Sequence, residues 1–438
     1  VCSSDLMTLV IYGTFIHTVS GKLEIFKNTY VTVKDGKIAS ISETKPEIGP
    51  NDKFIETTKT QIILPGFIDT HIHAPQYAFS GCGLDLPLLE WLNTYTFPAE
   101  SKFKEIEHAK QVYDGVVRRT LEAGTTTAVY FATIYNKSSL LLAEICRQRG
   151  QRAFVGKVSM DRNSPDFYVE KTEEAVENLK EFVNDKMFND KDDIVQPILT
   201  PRFVPSCTEK LMNEIGDIHK HNNQLLIQSH VSENLSEIDW VKSLHPDCPN
   251  YTSVYDKCGL LNEKTILAHG VHLTEEELNL LAKTRSTIAH CPSSNFQLYS
   301  GACDVRNLQS HGVNVALGTD NAGGESTSMI HSMRNALVCS RSVLFTKRAL
   351  DPNTQYKPLS VHEVLYLATE AGAKAVGLED KIGNFKVGKD FDAIIADANA
   401  GYVDCFGNES TLDILDKFVH QGDDRNVIHV FVNGKLVK

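Results

Sequence analysis

Hydrophobic and polar positions alternate in two different ways along this chain. Near the N-terminus, and again near the C-terminus, short runs of β-branched residues are cut by Gly, Pro and turn pairs. The runs are LVIYGTFIHTVS, TYVTVKDGKIASI and FIETTKTQIILPG at one end, IGNFKVGKDFDAIIAD and VIHVFVNGKLV at the other. Such runs predict strands, and Asp35-Gly36 and Asn433-Gly434 predict tight hairpins between them. The likeness of the two ends predicts one small β-sandwich domain shared by residues 7–64 and 383–438.

Between these ends, apolar strand-like runs take turns with segments of helical period. Eight runs are recognisable: IILPGFIDTHIH, TTTAVYFATI, RAFVGKVSMD, IVQPILTPRF, QLLIQSHVSEN, KTILAHG, STIAHCPSSN and VNVALGTDN. Helical patterns such as TEEAVENLKEFVNDKMF and TEEELNLLAKT fill most gaps, several opening on a Thr or Ser cap. This order predicts an α/β fold, a (β/α)8 TIM barrel over residues 65–382. An open doubly wound sheet is the alternative. The barrel is favoured because the polar residues that follow the strands converge on one mouth only if the sheet closes.

Those polar residues carry the chemistry. The first run ends in His71 and His73, which point the same way in a strand. The fourth ends in Arg202 and Phe203, the fifth in His230 with Glu233 close behind, the sixth in His269 and the eighth in Asp320. Imidazoles with one carboxylate and no cysteine suit Zn2+ or Fe2+ with an open position for water. A metal of this kind brings the pKa of water towards neutrality. Asp320 can then take the proton of the attacking water, and Glu233 can shuttle a proton to a substrate nitrogen. His269 either ligates or stands just outside the ligand set. The competing readings are a solvated loop carboxylate for Glu233, a surface ion pair for Arg202 and plain core packing for Phe203. Trp91, in the long segment from Ala74 to about Lys104, either packs against Leu88 and Leu92 or belongs to a lid over the mouth. His290 with Cys291 reads as structural, Asp423 and Asp424 as solvated or paired with Arg425, and His219 and His221 as exposed.

Composition narrows the partners. A net charge of −12 over 438 residues argues against nucleic acid or an anionic membrane. No apolar run reaches the length of a membrane span. Ten irregularly spaced cysteines without a CxxC pair read as reduced thiols, which places the chain in the cytoplasm. The opening VCSSDLM lacks the features of a signal peptide, and Val1 to Leu6 read as a non-native remnant.

PGFIDTHIH, the later SH, AHG and GTD, and the terminal β-domain resemble the amidohydrolase superfamily. HAPQY, DLPLLEWLNTYTFPAE, TPRF, NYTSVYDK and GTDNAGG are similar, more specifically, to its guanine-deaminating members. The resemblance implies hydrolysis of guanine to xanthine and ammonia, with water attacking C2. It implies one Zn2+ held by His71, His73, His230 and Asp320, with His269 beside them. It implies purine contacts from His73, Gln76, Arg202, Phe203, His230, Glu233 and Asp320, and a homodimer. Two-metal relatives carry a carboxylated lysine after the fourth strand, where this chain has Arg202 instead; Lys157 ends the third. Arginine's fork suits the O6 and N7 acceptors of guanine, Gln76 can donate and accept, and Phe203 can lie on the ring. The alternatives are deamination of another heterocycle (a pterin, a triazine or an oxidised guanine) and a non-catalytic scaffold on the same fold.

Overall fold

The structure, a computed structural model, describes residues 8–190 and 194–438. Val1 to Leu6, read above as a remnant, lie outside them. Eight parallel strands form a nearly closed barrel: Phe67–His73, Thr125–Phe131, Arg152–Gly156, Val195–Pro201, Leu226–Val231, Thr265–His269, Thr287–His290 and Asn314–Leu317. These are barrel strands one to eight. Each pairs with the next in parallel. Polar closure links the eighth segment back to the first: Thr70 Oγ1 donates to the Leu317 carbonyl at 2.8 Å and the Asp320 N–H to the His71 carbonyl at 2.8 Å. The strands are buried along nearly their whole length, as sheets covered on both faces must be. Helices pack around them; the caps read from sequence hold at Thr208 and Thr274, and Ser360 opens a further helix with a capping box. Thr172 differs: it is the first helical residue, and its hydroxyl goes to Asp161 at 2.7 Å.

A second sheet of eight strands fits the expected β-sandwich. Five strands come from the N-terminal part, Leu9–Val19 to Gln61–Pro65, and three from the C-terminal part, Ala393–Asp397, Val427–Val432 and Lys435–Leu436. Both predicted hairpins form, with Lys34 opposite Lys37 and Val432 opposite Lys435. The run IILPGFIDTHIH, read as one strand, is two. Gly66 divides it, leaving Gln61–Pro65 in the second sheet and Phe67–His73 in the barrel. A Cβ at Gly66 would stand 2.1 Å from Thr126 Oγ1, so only glycine lets the chain pass there.

The barrel and the second sheet are pinned together at Arg152, the first residue of barrel strand three. Its buried guanidinium meets Asp392 at 3.1 Å and Asp390 at 3.0 Å. Arg152→Ala leaves two carboxylates in a site built for a cation. The expected loss is about 3–5 kcal/mol, read as a lower urea midpoint; an unchanged midpoint would show the pair to be dispensable.

Candidate active site

At the C-terminal mouth of the barrel the expected strand ends do meet. His71 Nε2 lies 3.2 Å and His73 Nε2 3.5 Å from Asp320 Oδ1, and His73 Nε2 lies 3.2 Å from His230 Nε2. His71 belongs to two donor triads, one with His73 and Asp320 and one with His230 and His269. Donors at about 2.1 Å from one ion at tetrahedral angles stand about 3.4 Å apart, which is the spacing found here. The Nε2 atoms of His71 and His269 are buried beside the carboxylate oxygens of Asp320 and Glu233, at 3.2 and 3.3 Å, without an aligned hydrogen bond, as groups aimed at an ion would be. The residues therefore fit a metal centre.

Their surroundings fix which atoms face inward. His230 Nδ1 stands 2.6 Å from the Arg202 carbonyl, which can only accept. That nitrogen carries the proton, and the Nε2 lone pair turns to the site. Asp69, fully buried, accepts from the N–H groups of His71 and Thr319 and from the Thr319 hydroxyl. Burial pushes its carboxyl up to about 6, against these hydrogen bonds. Gly318 lets the eighth strand run close to His71, since a Cβ there would lie 2.9 Å from His71 Cβ. His269 and Asp320 have φ of 77° and 48°, left-handed backbone that costs about 1–3 kcal/mol per residue and recurs at functional sites.

Beside the donors lies a cavity lined by His73, Gln76, Leu88, Trp91, Leu92, Arg202, Phe203, His230, Glu233, Glu237, His269, Leu298 and Asp320. Glu233 Oε2 is 3.3 Å from His269 Nε2, and Ser300 donates to Glu233 Oε1 at 3.1 Å. Burial and the neighbouring Asp320 charge push the Glu233 carboxyl up to about 8, so it is protonated at neutral pH. For Asp320, burial acts upward, but His71, His269 and His73 outweigh it and hold the carboxyl below its usual range. Two carboxyls at one site are thus driven apart, one an acid and one a base. Burial holds His73 and His230 well below the usual histidine value, hence neutral and able to ligate.

Trp91 packs with Leu88 and Leu92, the first of its readings, and it also lines the cavity. Phe203 likewise belongs to this apolar cluster, with its ring edge-on to His230 and Trp240. Arg202 is buried rather than a surface pair. His290 and Cys291 are fully buried, and Asp423 pairs with Arg425. His219 corrects its reading: it is buried and meets Asn262 at 3.1 Å, because it lies four residues after Ile215 on the inner face of helix Glu209–His221. His221 is exposed, as expected. Sequence reasoning did not single out Glu100 or Glu237. Glu100 closes the TFPAE motif; Glu237 stands three residues after Asn234, the spacing of a capping box, and accepts from the Glu233 N–H at 2.9 Å.

A profile of the amidohydrolase family matches residues 62–437, and the chain belongs to that family. Guanine deaminase of Dictyostelium discoideum is 46% identical over 446 residues, covering 97% of each chain. The human guanine deaminase is 45% identical over 456 residues, covering 100% of this chain and 98% of that one. The crystal structure of the guanine deaminase of C. acetobutylicum, with guanine bound in its active site, matches with a TM-score of 0.91 at 38% identity, over 98% of this chain and all of that one. Within the amidohydrolases the chain thus belongs with the guanine deaminases. Among the described residues no helix is long and apolar enough to cross a membrane, and every cysteine is a free thiol.

Proposed function

We propose that this enzyme hydrolyses guanine to xanthine and ammonia, using one Zn2+ held by His71, His73, His230 and Asp320. The observation that carries the proposal is the convergence of these four donors, His71 and His73 at 3.2 and 3.5 Å from Asp320 and His73 at 3.2 Å from His230, beside the cavity lined by Glu233 and Arg202. When bound, the ion lowers the pKa of water and supplies a nucleophile at neutral pH.

The chain's own groups do the rest. Asp320, kept ionised, accepts the proton of the water that attacks C2. Glu233, kept protonated, gives its proton to the ring nitrogen beside C2, then takes the proton of the new C2 hydroxyl and passes it to the amino group as the C–N bond breaks and ammonia leaves; the proton held by Asp320 then restores Glu233. His269 lies within 3.3 Å of Glu233 and 3.7 Å of Asp320, where it steadies the charge that moves between them. Arg202 and Gln76 read the purine edge with hydrogen bonds. Phe203, Trp91 and Leu92 enclose the base and keep bulk water away from it. Incubating the zinc-loaded enzyme with guanine tests the reading: ammonia and xanthine should appear in equal amounts. Turnover confined to pterins or triazines would reject it.

A further inference from the structure

We propose that Glu100 is the positioning residue that makes the site read a 6-oxo purine and refuse a 6-amino one. The inference rests on guanine as the substrate and adds the residue that enforces the choice. Glu100 lies in the short helix Phe97–Ser101, in the segment between barrel strands one and two, and is fully buried. Its carboxylate serves both base-reading residues at once. Arg202 donates to it through both terminal nitrogens, at 2.5 and 3.1 Å, and Gln76 Nε2 donates to it at 3.0 Å. The Arg202 guanidinium also lies 5.1 Å from the centre of the Phe97 ring, in the same helix.

This arrangement removes a freedom that glutamine otherwise has. A side-chain amide can turn over and exchange its donor for its acceptor. At Gln76 it cannot. A carboxylate only accepts, so the NH2 end must face Glu100. The opposite end accepts from the Ala322 N–H at 3.3 Å, which only donates. Turning the amide would set donor against donor at Ala322 and acceptor against acceptor at Glu100. The second N–H of Gln76 and the remaining N–H groups of Arg202 are then left for the ligand. That edge suits a partner with acceptors, such as the O6 and N7 of guanine. A 6-amino group would bring its own N–H groups against these donors. Sites built on such fixed pairing reject the mismatched analogue by large factors, because buried polar groups are left unpaired. Glu100 also supplies the negative charge that lets Arg202 stand buried beside a neutral base.

In the Glu100→Gln variant one of the two constraints on Gln76 is removed, since a glutamine at position 100 can donate or accept while the Ala322 N–H stays, and Arg202 loses the carboxylate that both of its terminal nitrogens hold. The test compares ammonia release from guanine and from 2,6-diaminopurine, with metal content measured on each sample. The wild type should strongly prefer guanine. In Glu100→Gln the ratio of the two kcat/KM values should fall at least tenfold, chiefly through a higher KM for guanine, with metal content unchanged. If the variant fails to fold, Glu100→Asp, which keeps the charge but shortens the reach, is read in the same way. A parallel fall for both substrates, with the ratio held within twofold, would overturn the proposal and leave Glu100 a structural residue. Absence of guanine turnover in the wild type would instead reject the substrate reading, and this proposal with it.

Discussion

Replacing Glu233 by Gln should abolish most turnover and leave the metal in place. The side chain keeps its shape and its hydrogen bond from Ser300, but it can no longer give and regain a proton. Loss of positioned acid–base transfer costs about 10²–10⁴ in rate, and the fall should appear in kcat with little change in KM. Zinc content should match the wild type, since Glu233 is not among the donors. The same substitution should stabilise the metal-free chain. The folded-state carboxyl titrates near 8 because of burial and the Asp320 charge, above its ordinary 4.5. Below the ordinary value the wild type suffers no loss, because folded and unfolded chains are both protonated. As pH rises towards 8 the unfolded chain releases the proton first, and the wild type loses stability. The gain from Gln should therefore be absent at pH 4 and reach a few kcal/mol above pH 8. Urea midpoints of both proteins at the two pH values check this, and a gain independent of pH would contradict the assignment. Full activity in the variant would remove Glu233 from the proton path.

His71→Ala should lose both metal and activity. His71 is the one residue common to both donor triads, and its Nε2 has no other hydrogen-bond partner. Removing it takes a donor and opens a void beneath the others. A catalytic ion held by fewer protein donors binds far more weakly, so zinc per chain after dialysis should fall towards zero and guanine turnover with it. His221→Ala, at an exposed helix end, is the control and should keep both. Wild-type zinc content in His71→Ala would show that this imidazole is not a ligand.

Much of this site could be read from the chain because its donors sit at strand ends, where period and position coincide. His71, His230, His269 and Asp320 each follow an apolar run, and a closed barrel brings such ends to one mouth. What remained hidden depends on contacts between distant segments. Glu100 reaches Arg202 across 102 residues, and no local pattern marks a glutamate in a short helix as buried. His219 looked exposed because polar residues surround it in sequence, whereas its place on the helix turns it inward. The break at Gly66 was blurred within the single run IILPGFIDTHIH because both of its halves are apolar strands; the approach of Thr126 requires the glycine there.

Guanine deamination should depend on one zinc held by four protein donors, and that dependence is directly measurable. It is tested by stripping the enzyme with a chelator, returning Zn2+ in steps, and measuring bound metal and guanine turnover on the same samples. Activity should be absent without metal, rise in proportion to bound zinc and level off at one ion per chain. Full turnover in the metal-free enzyme, or a plateau reached only at two ions, would contradict it.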